Sequence, residues 1–181
     1  MPQRYKEVPT WKEMPYILQH ALNNEWKTIA TAIYYTGARA GELIQIKKRH
    51  VWEEGPFVKV KLLTEKNKWQ TERIVPIPIQ KDNLGATLYL NLTHNLEDED
   101  LLFPTPPGIQ TDSFLRNMRK GINDTYDGVA PHYFRHCRLT HMVTRYNYDS
   151  HQLVKYAGWT DERPAKHYVH LRTEDLEAKM I

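Results

Sequence analysis

The sequence predicts a mostly helical α+β domain with one small antiparallel β-hairpin. Apolar residues recur at helical spacing through residues 14–46 and again from residue 111 onward, whereas only residues 57–63 and 73–79 alternate as strands do. The chain has 181 residues, of which 40% are hydrophobic, so it is long enough to bury one substantial core. We therefore expect a single domain spanning residues 1–181.

The N-terminal helices are indicated by their boundaries as much as by their periodicity. Thr10 followed by Glu13 forms a capping box before the first apolar repeat. Gly37 is typical of a helix end, because glycine adopts the left-handed conformation there without strain. The predicted helices in this part cover residues 14–22, 25–35 and 40–46.

The middle of the chain contains the strand signals. FVKVKLL at 57–63 and RIVPIPI at 73–79 are separated by the polar stretch TEKNKWQTE, which predicts a β-hairpin with a long loop. A helix at 81–95 follows, and the acidic segment 97–100 with TPPG at 105–108 predicts a surface loop. The remaining predicted helices cover residues 111–123, 131–147, 149–157, 164–169 and 174–180.

Composition excludes several classes of protein. No apolar run approaches the roughly 18 residues that span a bilayer, and the N-terminus lacks the apolar core of a signal peptide. The only cysteine, Cys137, cannot form an internal disulfide. We expect a soluble, intracellular protein of the cytoplasm.

Charge is distributed unevenly along the chain. Residues 1–75 carry 13 Lys and Arg against 8 Asp and Glu, residues 76–112 carry 1 against 6, and residues 113–181 carry 11 against 8. Two basic blocks flanking an acidic one can form a positive face for nucleic acid. Ordinary solvated surface charge explains the same pattern equally well.

The chemistry-bearing residues concentrate in the C-terminal third, in PHYFRH at 131–136, AGW at 157–159 and HYVH at 167–170. His132 and Arg135 are three residues apart, so on a helix they project from one face. A guanidinium binds phosphate oxygens bidentately and an imidazole can move a proton near neutral pH. An isolated H-x-x-R pair is usually only solvated, so other motifs must support this hypothesis.

That support comes from TGARAGEL at 36–43, which places Arg39 just after the Gly37 helix end. Together these motifs resemble the catalytic domain of the tyrosine recombinase (phage integrase) family, with its T-G-x-R-x-x-E-L box, basic β-hairpin and H-x-x-R-H box. The family has a G-H or G-W pair followed by a tyrosine nine residues later, the spacing of Trp159 and Tyr168. YAGW and YVHL are most similar to archaeal and phage-type integrases.

The resemblance implies a role for each matched residue. Arg39 and Arg135 would hold the non-bridging oxygens of the scissile phosphate, and His132 would be the acid/base histidine. Trp159 stands where many relatives have histidine. It can donate an N–H or pack against the phosphate pocket, but it cannot titrate.

Tyr168 would be the nucleophile, attacking a DNA phosphodiester to give a 3′-phosphotyrosine and a free 5′-OH. The tyrosyl ester keeps much of the energy of the broken bond, so rejoining would need no ATP. No metal or other cofactor is expected, because arginines supply the charge stabilisation. By itself, any one of the eleven tyrosines is more commonly an ordinary half-buried aromatic residue.

The family also uses a hairpin lysine as the general acid that protonates the leaving 5′ oxygen. Lys66 and Lys68 are both candidates. Counted along the strand, Lys66 shares a face with Val58, Val60 and Leu62, whereas Lys68 lies at the more usual distance from Pro76. We choose Lys66, although both lysines could simply contact phosphates.

Other polar clusters have more ordinary explanations. His132, His136, Cys137 and His141 raise the question of zinc, but they lack a carboxylate or C-x-x-C partner. We interpret His136 as a core histidine under the active site. KKRH at 47–50 is a DNA-facing or solvated charge run.

The expected partner is double-stranded DNA, with self-association on DNA up to a tetramer in the full synapse. Family members usually carry an N-terminal DNA-clamping domain, which we expect to be absent here. The helix at 174–180 could dock on a neighbouring protomer or on its own domain. Two alternatives remain: an accessory DNA-binding module that has kept the fold, and a topoisomerase-like enzyme.

Overall fold

The protein is a helical domain built around one three-stranded sheet. The computed structural model describes residues 7–66, 69–169 and 180. Its helices are α1 (Met14–His20), α2 (Asn24–Thr36), α3 (Ala40–Leu43), α4 (Asn83–Thr93), α5 (Thr111–Thr125), α6 (Pro131–Thr144) and α7 (Ser150–Ala157), with a 3₁₀ turn at Lys48–His50. Its strands are β1 (Val51–Glu54), β2 (Phe57–Lys66) and β3 (Trp69–Pro78).

The helices follow the predicted pattern closely. Glu13 accepts hydrogen bonds from the backbone N–H and hydroxyl of Thr10, at 2.8 and 3.1 Å, immediately before α1. Gly37 ends α2 with a φ of 64°. The third helix is shorter than predicted and ends at Leu43. Residues 166–169 are helical, whereas the predicted helix at 174–180 lies outside the described residues except for its last one.

The predicted long hairpin loop is wrong. β2 and β3 continue in antiparallel register as far as the pair Lys66–Trp69, so most of TEKNKWQTE forms strand and only residues 67–68 connect the two. A third strand that was not predicted, β1, pairs with β2 from Val51–Val60 to Glu54–Phe57. The stretch was interpreted as a loop because its polar residues show no apolar alternation from which a strand could be recognised.

The core joins the sheet to the central helices. Inward-facing residues of β2 and β3 are fully buried: Val58, Val60, Leu62, Val75 and Ile77. α2 packs on α6 and contributes buried Ile33 and Tyr34, opposite buried Phe134 and Cys137. Because α2 and α6 are locked together, the end of α2 and the polar face of α6 are held side by side.

Polar side chains on α6, and Arg145 at its C-terminal end, make specific contacts with neighbouring elements. Arg138 donates to Asp82 at 2.9 Å, and Arg145 binds the other oxygen of the same carboxylate at 2.8 Å. His141 bonds Tyr34 through Nδ1 at 2.8 Å and the Pro9 carbonyl through Nε2 at 2.7 Å. These contacts fix α6 against α2 and against the N-terminal segment.

Candidate functional site

Arg39 occupies the turn between α2 and α3. It is the N-cap of α3, with extended backbone, and its N–H donates to Glu42 Oε1 at 3.0 Å. Its guanidinium forms an ion pair with the same oxygen at 3.2 Å and stays 28% exposed. The turn after Gly37 therefore presents Arg39 with one side of its guanidinium held by Glu42.

Glu42 is the hub of this region. Its carboxylate is 3% exposed and accepts hydrogen bonds from Arg73 of β3 and, at 2.7 Å, from the Thr64 hydroxyl of β2. Burial alone would raise the pKa of Glu42, but the hydrogen bonds and charge of Arg73 and the bond from Thr64 hold it below its ordinary value. A charged carboxylate thus joins α3 to the hairpin.

Arg73 and Thr64 were not identified from the sequence. Arg73 also donates through Nε to the Tyr156 carbonyl at 2.8 Å, so it joins the hairpin to the end of α7. The available signal was strand alternation, because Arg73 shares a face with buried Val75 and Ile77. A charged residue on an inward-facing position needs a buried partner, and Glu42 is that partner.

Arg135 lies in the centre of the site. Its side chain is 1% exposed, and it donates through Nη1 to the Gly37 carbonyl and through Nη2 to the Ala157 carbonyl at 2.8 Å. Burial, then the charges of Arg39 and Arg73, lower the pKa of Arg135 to about 9, which leaves it protonated at neutral pH. Both carbonyls lie at helix ends, where they have no partner within the helix.

His132 lies one helical turn before Arg135 and is exposed. Removal of part of its ring from water, together with the charges of Arg135 and Arg39, lowers the pKa of His132. The imidazole is consequently neutral at pH 7. Arg39, His132 and Arg135 therefore lie within electrostatic reach of one another.

Trp159 and Tyr168 lie beside this group. The Trp159 ring centroid is 5.9 Å from Arg135 Cζ and 5.9 Å from the Tyr168 ring centroid. Tyr168 is 9% exposed, and its hydroxyl lies 2.8 Å from His136 Nδ1. The contact between His136 and Tyr168 was not predicted, because sequence spacing cannot show which histidine meets the tyrosine.

The hairpin lysines are only partly defined. Lys66 is the last residue of β2, pairs with Trp69 through the backbone and lies two residues beyond Thr64. Its side chain is not among the described parts of the chain, and Lys68 lies outside the described residues altogether. The choice between them stays a prediction.

Two other sequence hypotheses can be compared with the geometry. Across residues 7–66, 69–169 and 180, no group of three His, Cys, Asp or Glu is arranged to hold a metal ion. In the KKRH run, Lys47 and Arg49 pair with Glu99 of the acidic segment at 2.6 and 2.8 Å. The acidic loop therefore neutralises part of that basic run.

The fold and site define a class of protein: a helical domain in which a small sheet and the ends of neighbouring helices bring arginines, a histidine, a tryptophan and a tyrosine close together. The chain matches the model of the phage integrase family over residues 10–175, and it belongs to that family. The resemblance seen in the motifs is confirmed.

Solved structures share the fold. The XerH site-specific recombinase bound to palindromic difH substrate matches with a TM-score of 0.61 and 20% identity, over 96% of this chain and 53% of that one. The XerA recombinase matches with 0.64 and 23%, over 99% and 64%. The Tn1549 transposon integrase (aa 82-397) in complex with circular intermediate DNA matches with 0.63 and 14%, over 92% and 63%.

These coverages mean that the chain spans roughly half to two thirds of those solved chains. A search of curated proteins finds no match. Within the described part of the chain, no helix is long and apolar enough to cross a membrane.

Proposed function

We propose that this chain is the catalytic domain of a site-specific DNA recombinase that cuts and rejoins strands through Tyr168. The observation that carries the proposal is an excess of positive charge at the site. Arg39 and Arg73 form ion pairs with Glu42, and Arg135 also lies within reach of its charge, so one carboxylate serves three guanidiniums. A phosphodiester is the group that such a pocket suits.

Within this site, Arg39 and Arg135 bind the non-bridging oxygens of the scissile phosphate and stabilise the charge that grows in the transition state. A guanidinium has more N–H donors than the two carbonyl bonds of Arg135 use. The neutral imidazole of His132 serves in proton transfer. Trp159, whose ring lies 5.9 Å from both the Arg135 guanidinium and the Tyr168 ring, packs against the phosphate pocket.

In the reaction, the Tyr168 oxygen attacks phosphorus and the bond to the 5′ oxygen breaks. The products are a 3′-phosphotyrosine and a free 5′-OH, whose proton comes from a general acid that we assign to Lys66. A 5′-OH from another strand then attacks the tyrosyl ester and restores the phosphodiester. The reaction ends with the strands exchanged and requires neither ATP nor a metal ion.

The substrate is double-stranded DNA, and several protomers act together on it, as a tetramer in the full synapse. The solved neighbours include recombinases crystallised on DNA, which supports the choice of partner. The similarity to phage-type integrases extends the proposal to integration of viral DNA. Dilute protein without DNA is expected to be monomeric.

The test is a Tyr168→Phe variant. A library of duplexes, each with a nick beside random sequence, is incubated with the chain in EDTA, and covalently attached DNA is recovered under denaturing conditions. The wild-type protein should yield an adduct, with the DNA attached to the peptide that contains Tyr168. Tyr168→Phe should yield none and should bind the selected duplex unchanged, because the substitution removes one oxygen and almost no surface.

A matched control is Tyr16→Phe, since Tyr16 is 68% exposed and lies on α1. It should form the adduct as the wild type does. An adduct that persists in Tyr168→Phe would overturn the assignment of the nucleophile. A wild-type chain that never attaches to any duplex in the library would overturn the proposed activity.

A further inference from the structure

His136 contacts the Tyr168 hydroxyl and has no role in the reaction steps described above. The phenol oxygen lies 2.8 Å from His136 Nδ1, and the ring centroids are 5.3 Å apart. Tyr168 is held in this position by its own backbone, since its N–H donates to the Ala165 carbonyl at 3.0 Å. The distance between the phenol oxygen and Nδ1 is that of an ordinary hydrogen bond.

The position of His136 on α6 makes this contact relevant to phosphate chemistry. His136 follows Arg135 directly and lies four residues after His132, so His132 and His136 share one helical face. Its partner Tyr168 contacts Trp159, which in turn contacts the Arg135 guanidinium. The phenol therefore lies between the His136 imidazole on one side and the Trp159–Arg135 contact on the other.

We propose that His136 is a further catalytic residue, whose Nδ1 accepts the phenolic proton of Tyr168 as the phenol oxygen attacks the scissile phosphate. The inference rests on the proposed function of Tyr168. In the forward step the O–H bond of Tyr168 breaks and its electron pair forms the new P–O bond, while the proton moves to His136. The 5′ oxygen leaves and takes a proton from the separate general acid. On rejoining, His136 returns its proton to the phenol.

The surroundings of His136 favour a neutral, accepting imidazole. Burial lowers the pKa of His136 below its ordinary value, so its ring is uncharged at neutral pH. A free phenol has a pKa of about 10, so transfer to this imidazole is uphill in the resting state. It becomes favourable only as the P–O bond forms beside the arginines, which is general-base catalysis in the transition state.

Other titratable groups share the cavity that His136 and Tyr168 line, whose volume is about 840 Å³. Glu7 and Lys12 come from the N-terminal segment, His141 from α6 and His167 from the helical turn before Tyr168. His141 is bonded to Tyr34 and the Pro9 carbonyl. The charged neighbour along α6 is Arg135. His136 Nδ1 lies at hydrogen-bonding distance from the phenol oxygen, at 2.8 Å.

The first experiment tests proton acceptance in the reaction. The His136→Asn substitution keeps a polar atom near the place of Nδ1 but removes the group that can take a proton. Single-turnover cleavage of the selected duplex is measured for the wild type, His136→Asn and the exposed-histidine control His94→Asn. Two substrates are compared, one with an ordinary scissile phosphate and one with sulfur in place of the 5′ bridging oxygen, whose departure needs no general acid.

We expect His136→Asn to cleave both substrates about 100-fold more slowly than the wild type, within the usual range for losing a general base. In the pH profile of its cleavage rate, the step at the pKa of His136 should also be absent. His94→Asn should match the wild type. A wild-type rate and pH profile in His136→Asn would overturn the inference, as would a defect that disappears with the sulfur substrate.

The second experiment needs no variant and removes any question of folding. Nitrogen-15 NMR of the wild-type chain, labelled in histidine, reports the tautomer of His136. Nδ1 should be unprotonated and Nε2 should carry the hydrogen, whereas a protonated Nδ1 would overturn the inference. Failure of the proposed function is distinguishable, because it would appear as a wild-type chain that attaches to no duplex, or as an adduct that survives in Tyr168→Phe.

Discussion

At the residue scale, Arg39 and Arg135 differ in how many of their guanidinium N–H donors are already bonded within the protein. Arg135 is buried and bound to two carbonyls, so replacing it would damage the fold as well as the site. Arg39 is partly exposed and is paired on one side with Glu42. Arg39 is therefore the position at which phosphate binding can be tested with the least structural disturbance.

We predict that Arg39→Ala lowers the single-turnover cleavage rate by about 10²–10³, the usual cost of removing a preorganised donor to a developing charge. Arg39→Lys should recover part of the loss, because it keeps the charge but not the planar fork. Cleavage of the selected duplex is the measurement. Arg49→Ala is the control, since that arginine is 50% exposed and pairs with Glu99; a wild-type rate in Arg39→Ala would contradict the role.

The motif resemblance placed Arg39, His132, Arg135, Trp159 and Tyr168 in one predicted site, and in the structure Arg135 and Trp159 link neighbouring members of that group. The resemblance could not supply the contacts that set their directions. Arg73 meets Glu42 across strands and helices that are 31 residues apart in sequence, and His136 meets Tyr168 across 32. Local periodicity carries no information about which polar groups meet over such separations.

At the element scale, the hairpin is joined to α3 and α7 by the Glu42–Arg73 pair and its hydrogen bonds. Removing one partner of a buried ion pair leaves the other charge without compensation.

The same elements account for the errors in predicting the sheet. β1 was missed because Trp52, Glu53 and Glu54 offer no alternating apolar face, and its pairing with β2 provides the order that its own sequence lacks.

We predict that Glu42→Gln destabilises the domain by about 3–5 kcal/mol at neutral pH. Because the folded-state pKa of Glu42 lies below its ordinary value of 4.5, its ionised form stabilises the fold above that pH. This contribution should be lost as pH falls below 4.5 and through the folded pKa. Urea unfolding of the wild type and variant across this range measures both effects.

The control is Glu99→Gln. Glu99 also pairs with two basic side chains, but its own side chain is 67% exposed, so solvent screens the interaction. Its unfolding free energy should stay close to that of the wild type at every pH. Equal behaviour of the two variants would mean that the Glu42 pair does not hold the hairpin in place.

At the scale of the whole molecule, the mostly helical fold with one small sheet was predictable from the sequence, and membership of the phage integrase family supports it. The helices were predictable because their apolar repeats and end signals are local. The arrangement of α2, α6 and α7 around Arg135 was not predictable, because it depends on contacts between helices that are far apart in sequence.

That meeting point has a consequence for how the native state opens. Arg135 on α6 binds the final carbonyls of α2 and α7, and helix ends of this kind ordinarily fray at little cost in free energy. We predict that the amides of Gly37 and Gly158 exchange hydrogen for deuterium with the same free energy and denaturant dependence as those in the middle of α6. Native-state exchange by NMR measures this, and rapid, denaturant-independent exchange at either glycine would contradict it. One side chain would then determine the size of the cooperative unfolding unit, so that α2, α6 and α7 open together or not at all.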